Sequence, residues 1–251
     1  MINLKNKNVF ITGGSRGIGK ACVEIFLKAE ANVAFTFQSA LSEATEIIRN
    51  HIGTSIIKHY KVNLGNAEEI EKVVKSVLSD FGNVDILVNN AGIWKEAAID
   101  TMTLEEWNEM MNVNLTSTYL ITKMIVPGMK KNSFGRIINI ASTAGQRGEA
   151  FHSHYAASKG GMISLTKSLA SELGKFNITV NCVAPGWVFT DMTTDSLADK
   201  EIYNKVRLDI PLNKIAQPEE IAGPVLFLAS DLSSHITGEI LNVNGGSVLC
   251  G

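Results

Sequence analysis

The period of apolar positions along this chain changes again and again. Short apolar runs of strand length lie at Asn8–Thr12, Asn32–Phe37, Ser55–Val62, Ile86–Asn89, Arg136–Ala141, Thr179–Ala184 and Ile240–Val243. Between them lie longer stretches with apolar residues three and four apart, the spacing of one helix face. From Gly17 to Ala29 these are Ile18, Ala21, Cys22, Ile25 and Phe26. From Ala67 to Phe81 they are Ile70, Val73, Val74, Val77 and Leu78, with charged residues between. Further helices are expected over Ser42–Asn50, Leu104–Met129, Tyr155–Leu173 and Pro218–Ala229, with Pro218 suited to a first turn. Strand–helix alternation of this kind predicts an α/β fold: a doubly wound parallel sheet with helices on both faces, in three layers. No Ser/Gly/Pro-rich linker divides the chain, so a single domain over residues 1–251 is expected. Trp187 to Asn213 has no strong period and is read as a mobile lid.

Composition narrows the function classes. Of 251 residues, 45% are hydrophobic and 19% charged, which excludes disorder and coiled coil. The net charge of -2 gives nucleic-acid binding no electrostatic support. Apolar stretches such as Pro224 to Ala229 fall far short of the roughly 20 residues of a membrane helix. The first ten residues have no signal-peptide core, so a cytoplasmic location is expected. Cys22, Cys182 and Cys250 have no zinc-type spacing, and no other His, Cys or carboxylate cluster suggests a metal. Three reduced thiols are expected, with a Cys182–Cys250 pair left open.

The chemistry begins at Thr12-Gly13-Gly14-Ser15-Arg16-Gly17-Ile18-Gly19, between the first strand and the first helix. Glycines there permit a tight turn and close approach of a pyrophosphate, and the helix aims free N–H groups at it. This context predicts a Rossmann-type dinucleotide site. The spacing G-x-x-x-G-x-G, with TG at its start, resembles the short-chain dehydrogenase/reductase family. Later segments resemble it in the same order: Asn89-Asn90-Ala91-Gly92, Asn114, Ser142, Tyr155-x-x-x-Lys159, Pro185-Gly186, Thr237-Gly238 and Val243-Asn244-Gly245-Gly246.

Tyr155 and Lys159 are four apart and share a helix face. A free tyrosine, with a pKa near ~10, is a poor acid–base catalyst at neutral pH, and a nearby ammonium is expected to lower it. Tyr155 then passes a proton to a carbonyl oxygen as hydride reaches the carbon, while Ser142 hydrogen-bonds that oxygen. The resemblance further implies that Lys159 holds the nicotinamide ribose and that Asn114 supports a water linked to the lysine. It also implies cofactor contacts from Gly13, Ser15, Arg16, Gly17, Ile18, Gly19, Asn63, Leu64, Asn90, Ala91, Gly92, Pro185, Gly186, Val188 and Thr190. At Asn63 the family often has Asp.

Counting about 20 residues on from the glycine turn reaches Phe37-Gln38-Ser39, with no carboxylate to hold a ribose 2′-hydroxyl. Arg16 is placed to pair with a 2′-phosphate, so NADP(H) is expected. Ile178–Asp191 and Ile236–Gly246 most resemble the family's reductases of 3-oxoacyl-carrier-protein thioesters. That resemblance implies NADPH-dependent reduction of a 3-oxoacyl thioester, fatty-acid biosynthesis and a homotetramer. Lys130 and Lys131 keep part of the basic patch such enzymes present, but Ser171 stands where an arginine is frequent. Expected substrate contacts are Ser142, Tyr155, Trp187 and His152. His152 and His154 also read as ordinary loop residues. Trp187, Phe189 and Met192 read equally as an apolar pocket wall or as core. A paralogue acting on a sugar, polyol or other small alcohol or ketone, and a non-catalytic cofactor sensor, stay open beside the thioester reading.

Overall fold

The computed structural model describes residues 2–51, 53 and 55–249. Cys250, and with it the pair to Cys182, lies outside the described residues; Cys22 and Cys182 are buried free thiols.

Seven parallel strands form one sheet: β1 (Asn8–Ile11), β2 (Asn32–Phe37), β3 (Ile57–Lys61), β4 (Ile86–Asn89), β5 (Gly135–Ile140), β6 (Ile178–Pro185) and β7 (Ile240–Val243). Their spatial order is β3-β2-β1-β4-β5-β6-β7. The direction of winding reverses between β1 and β4, and a crevice opens beyond the strand ends there. Side chains alternate between the two faces. Val9, Ile11, Val33, Phe35, Val88 and Ile138 pack on one side, against α1 (Gly17–Lys28) and α10 (Pro218–Ala229). Phe10, Ala34, Leu87, Ile137 and Val180 pack on the other, with α3 (Ala67–Phe81), α5 (Ser117–Asn132) and α7 (Ser153–Leu173).

Helix α2 (Leu41–Asn50) and the remaining framework follow the periodicity closely. The expected helix over Leu104–Met129 is present and continuous, but it is not uniform. It runs as α4 (Leu104–Met111), a π-helical turn at Asn112–Thr116, and α5. The turn adds a residue to the helical repeat and buries Asn114 completely. The expected irregular stretch Trp187–Asn213 also differs. It contains α8 (Thr194–Ala198) and α9 (Lys200–Leu208), and Asp199 caps α9 by accepting from the backbone N–H groups of Glu201 and Ile202. Both helices are short; α9 carries Ile202, Tyr203 and Val206 at helical spacing, a pattern the expectation overlooks, and Tyr203 and Val206 pack against the small cluster of Leu197, Ile210 and Ile215. The short α6 (Ala144–Arg147) leaves no period.

Helices α6 and α7 touch backbone to backbone, because Gly145 sits against Lys159 and Gly160. A Cβ on Gly145 would lie 2.6 Å from the Lys159 carbonyl carbon and 2.7 Å from the Gly160 nitrogen. Gly145→Ala is therefore expected to cost about 1–3 kcal/mol of stability, read as a lowered urea midpoint. An unchanged midpoint would show that the two helices separate freely.

Candidate active site

The ends of β1, β2 and β4 are tied together around the glycine turn. The Thr12 hydroxyl accepts from the N–H groups of Asn90 and Ala91, each at 3.0 Å. The Asn90 amide donates back to the carbonyls of Thr12 and Gly13, at 2.9 and 3.1 Å. From β2, the Thr36 hydroxyl accepts from Gly13 N–H at 3.0 Å, and its carbonyl accepts from Gly14 N–H at 2.8 Å. Gly13 and Gly17 have φ of 66° and 53°, the left-handed region that glycine enters without strain. Helix α1 starts with no side-chain cap and no acidic residue in its first turn. Its free N–H groups fit an anion, and the surrounding donors fit a dinucleotide pyrophosphate. Arg16, side chain 61% exposed, lies 3.4 Å from Asp191 across the mouth of this turn. An exposed pair of this kind is worth ~0–1 kcal/mol and yields easily to a bound phosphate.

Ser142 follows β5, and Tyr155 and Lys159 lie on α7. The Ser142 hydroxyl oxygen accepts from Ala144 N–H at 3.1 Å, which leaves its own proton free to donate. Lys159 Nζ donates to the Ile140 carbonyl at 2.7 Å and lies 5.8 Å from the Tyr155 ring centre. Burial pushes the Tyr155 phenol up to about 12; the hydrogen bond with Ser142 acts downward and the Glu149 carboxylate upward. Burial also pulls Lys159 down to about 8. The expected lowering of Tyr155 by Lys159 is thus reversed in the chain alone. Dehydration of the buried phenolate is the largest influence on it, and Lys159 donates to the Ile140 carbonyl instead. At pH 7 both groups hold their protons, which suits Tyr155 as a proton donor.

Asn114 stands behind this group. Its side chain pins the Ile93 backbone, accepting from Ile93 N–H at 2.8 Å and donating to the Ile93 carbonyl at 3.0 Å. It also donates to the Ser158 hydroxyl at 3.1 Å, and Ser158 donates to the Tyr155 carbonyl at 2.7 Å. A Cβ on Gly92 would lie 3.2 Å from Asn114 Oδ1 and 3.4 Å from Lys159 Nζ, so both side chains flank that glycine.

A single cleft of about 300 Å³ runs from the glycine turn to Tyr155. Gly13, Ser15, Arg16, Gly17, Ile18 and Gly19 line it, as do Leu64, Asn90, Ala91 and Gly92. Ser142, Tyr155, Lys159, Pro185, Gly186, Trp187, Val188 and Thr190 complete the expected set. Three expected contacts stand outside its lining: Asn114, Asn63 and His152. Asn63 is exposed, and its side-chain oxygen accepts from Gly65 N–H at 2.9 Å, tightening the bend after β3. His152 is 8% exposed and stacks flat on Trp94, with ring centres 4.4 Å apart. Its ring backs Trp94, which lines the cleft. His154 is buried, and that burial lowers its pKa. Met192 lines the cleft, whereas Phe189 stacks on Tyr203 of α9.

The sequence reading missed Trp94, Arg147 and Glu149, which line the substrate end. Trp94 and Glu149 sit in loops and Arg147 ends the four-residue α6, where no period marks them, and only folding brings residues 94 and 149 together. At the other end Phe37, Gln38, Ser39 and Ala40 line the cleft with no carboxylate among them. Among the described residues no group of three His, Cys, Asp or Glu is placed to hold a metal. No helix there is long and apolar enough to cross a membrane.

Gly19 gives a direct test of the turn. A Cβ on it would press into the Gly13 carbonyl and lie 2.5 Å from the Asn90 amide nitrogen. Gly19→Ala is expected to weaken dinucleotide binding at least tenfold in a fluorescence titration. Unchanged affinity would dissociate the turn from cofactor binding.

Comparison with known proteins agrees with this geometry. A family model described as enoyl-(acyl carrier protein) reductase matches residues 13–247. The 3-oxoacyl-[acyl-carrier-protein] reductase FabG of Vibrio cholerae serotype O1 is 42% identical over 245 residues, covering 98% of each chain. FabG of Aquifex aeolicus is 41% identical and FabG of Escherichia coli 40%, each again over 98% of both chains. The crystal structure of a short-chain dehydrogenase/reductase from Brucella melitensis, titled glucose/ribitol dehydrogenase, superposes with a TM-score of 0.91 at 30% identity, over 99% of both chains. The chain belongs to the short-chain dehydrogenase/reductase family of oxidoreductases.

Proposed function

We propose that the protein is an NADPH-dependent reductase of 3-oxoacyl thioesters, of the kind carried on acyl carrier protein. The observation that carries this reading is the single cleft holding both the phosphate-binding turn and Ser142, Tyr155 and Lys159. The relatives named 3-oxoacyl-[acyl-carrier-protein] reductase, similar along nearly the whole chain, support the substrate. The absence of a carboxylate among Phe37, Gln38, Ser39 and Ala40, together with the exposed Arg16, supports NADPH over NADH.

When bound, NADPH supplies the hydride that the carbonyl carbon receives. Tyr155 gives its phenolic proton to the carbonyl oxygen. Ser142, its oxygen already accepting from Ala144, turns its proton toward the same oxygen and orients it. Lys159, held by the Ile140 carbonyl, keeps a positive charge beside the site below pH 8 or so and is placed to hold the ribose. Asn114, through Ile93 and Ser158, keeps the loop after β4 and the first turns of α7 in register. The segment containing α8 and α9 is a mobile lid in this reading. Lys130 and Lys131, at the end of α5, supply positive charge for an acidic carrier protein. Lys130 lies 3.7 Å from Glu172 and 4.9 Å from the Phe176 ring centre. The assembly is a homotetramer in the cytoplasm, and a light-scattering mass of one 27.2 kDa chain would refute the tetramer.

A second reading, reduction of a sugar or polyol carbonyl, draws on one feature: Arg147 and Glu149 make part of the substrate end polar. Oxidation of NADPH in the presence of an acetoacetyl thioester separates the two readings. Fast oxidation supports the thioester; none, with turnover of a sugar or alcohol, supports the second. Tyr155→Phe is expected to lose at least a hundredfold in kcat while keeping its NADPH affinity within twofold, checked by nicotinamide fluorescence. Arg16→Ala is expected to raise KM for NADPH by about 10- to 100-fold and leave that for NADH within threefold, as loss of one charged hydrogen-bonding partner predicts. Equal effects on both cofactors would remove Arg16 as the reader of the 2′-phosphate.

A further inference from the structure

The substrate end of the cleft carries a carboxylate that the reaction does not use. Glu149 lies in the loop between α6 and α7 and lines the same cleft as Tyr155, with its side chain 25% exposed. Its orientation is held by Trp94, whose Nε1 donates to Glu149 Oε2 at 3.4 Å, while His152 Nδ1 lies 3.9 Å from Oε1, beyond hydrogen-bond distance. The Trp94 and His152 rings are parallel within 2°, and Trp187 meets Trp94 edge-on at 6.0 Å. His152 is fixed in turn, because its Nδ1 lies 3.0 Å from the Ala150 carbonyl.

The loop that presents Glu149 is anchored to the segment after β4, where Ala97 N–H donates to the Phe151 carbonyl at 2.8 Å. Phe151 has φ of 61° and is 62% exposed. A bulky residue enters that region only where its surroundings impose it. The contacts at 97, 94 and 152 are those surroundings. Arg147 lines the same cleft but is exposed, and no ion pair between it and Glu149 is present among the described residues. Lys159 also lines the cleft, but neither cation pairs with Glu149, so the carboxylate faces the cleft with no direct ion-pair partner from Arg147 or Lys159 among the described residues.

We propose that Glu149 is a specificity-determining residue whose carboxylate bars substrates with a negative charge beside the reacting carbonyl and admits neutral ones. A partly dehydrated wall has a lower effective dielectric than water, so like charges there repel more strongly than in solution. A 3-oxoacyl thioester is neutral at that position, whereas the free 3-oxo acid made by its hydrolysis is an anion. Glu149 thus separates the two without contacting the carbonyl. The substrate class rests on the thioester reading above; the charge rule itself does not.

The test compares ethyl acetoacetate with acetoacetate, which share the 3-oxo group and differ in charge. In the wild-type enzyme kcat/KM is expected to favour the ester by at least 30-fold. In Glu149→Gln that ratio is expected to fall at least tenfold, through a gain on acetoacetate. Trp94→Phe, which removes the N–H that holds the carboxylate, is expected to lower the ratio by a smaller factor. A ratio equal in wild type and Glu149→Gln, or a wild-type preference for acetoacetate, overturns the proposal, the latter in favour of Arg147 as the dominant charge. If neither compound nor an acetoacetyl thioester is turned over, the thioester reading fails. The charge rule is then read from titrating the enzyme–NADPH complex with the same two compounds by tryptophan fluorescence. Equal affinity for both in wild type overturns it there.

Discussion

The site depends on the seam between β1 and β4. At a winding reversal two parallel strands end side by side with no helix crossing over their tips, so their last backbone groups would be unsatisfied. Thr12 and Asn90 resolve this within the protein. The threonine hydroxyl takes two N–H groups from the β4 turn, and the asparagine amide returns two hydrogen bonds to the β1 turn. The donors thus left over, at the start of α1, are those a phosphate can satisfy. Cofactor binding is in this sense a consequence of how the sheet is wound.

A second constraint sets the proton chemistry. Tyr155 is buried together with Lys159, and burial acts on the two in opposite directions: the phenol goes up and the ammonium goes down. The hydrogen bond from Lys159 to the Ile140 carbonyl keeps its ammonium on the β5 side of the cleft. Both groups stay protonated at neutral pH, the state in which a reductase begins its cycle. A cationic oxidised nicotinamide beside the phenol would favour the phenolate, which is the state that oxidation of an alcohol needs. One pair of residues can thereby serve either direction.

The framework was legible because parallel strands buried on both faces and amphipathic helices leave strong apolar periods. Short elements left none. The π-helical turn at Asn112–Thr116 reads as continuous helix, since its apolar residues keep nearly the same spacing. Helix α9 does carry an apolar period, but over nine residues it is too short to stand out from the irregular segment around it. Asn63 and His152 are polar residues beside motif positions, and no local pattern announces that Asn63 closes the bend at Gly65 or that His152 stacks on Trp94.

Sequence alone determined the strand and helix alternation, the glycine turn after the first strand, and the spacing of Ser142, Tyr155 and Lys159, because each is encoded within a few residues. Only the tertiary structure decided which loops meet. It set Glu149 against Trp94, 55 residues apart, and Arg16 against Asp191, 175 apart. It also decided the protonation of Tyr155 and Lys159, since a pKa follows from how much water the fold removes around a group, and that depends on every element packed against it.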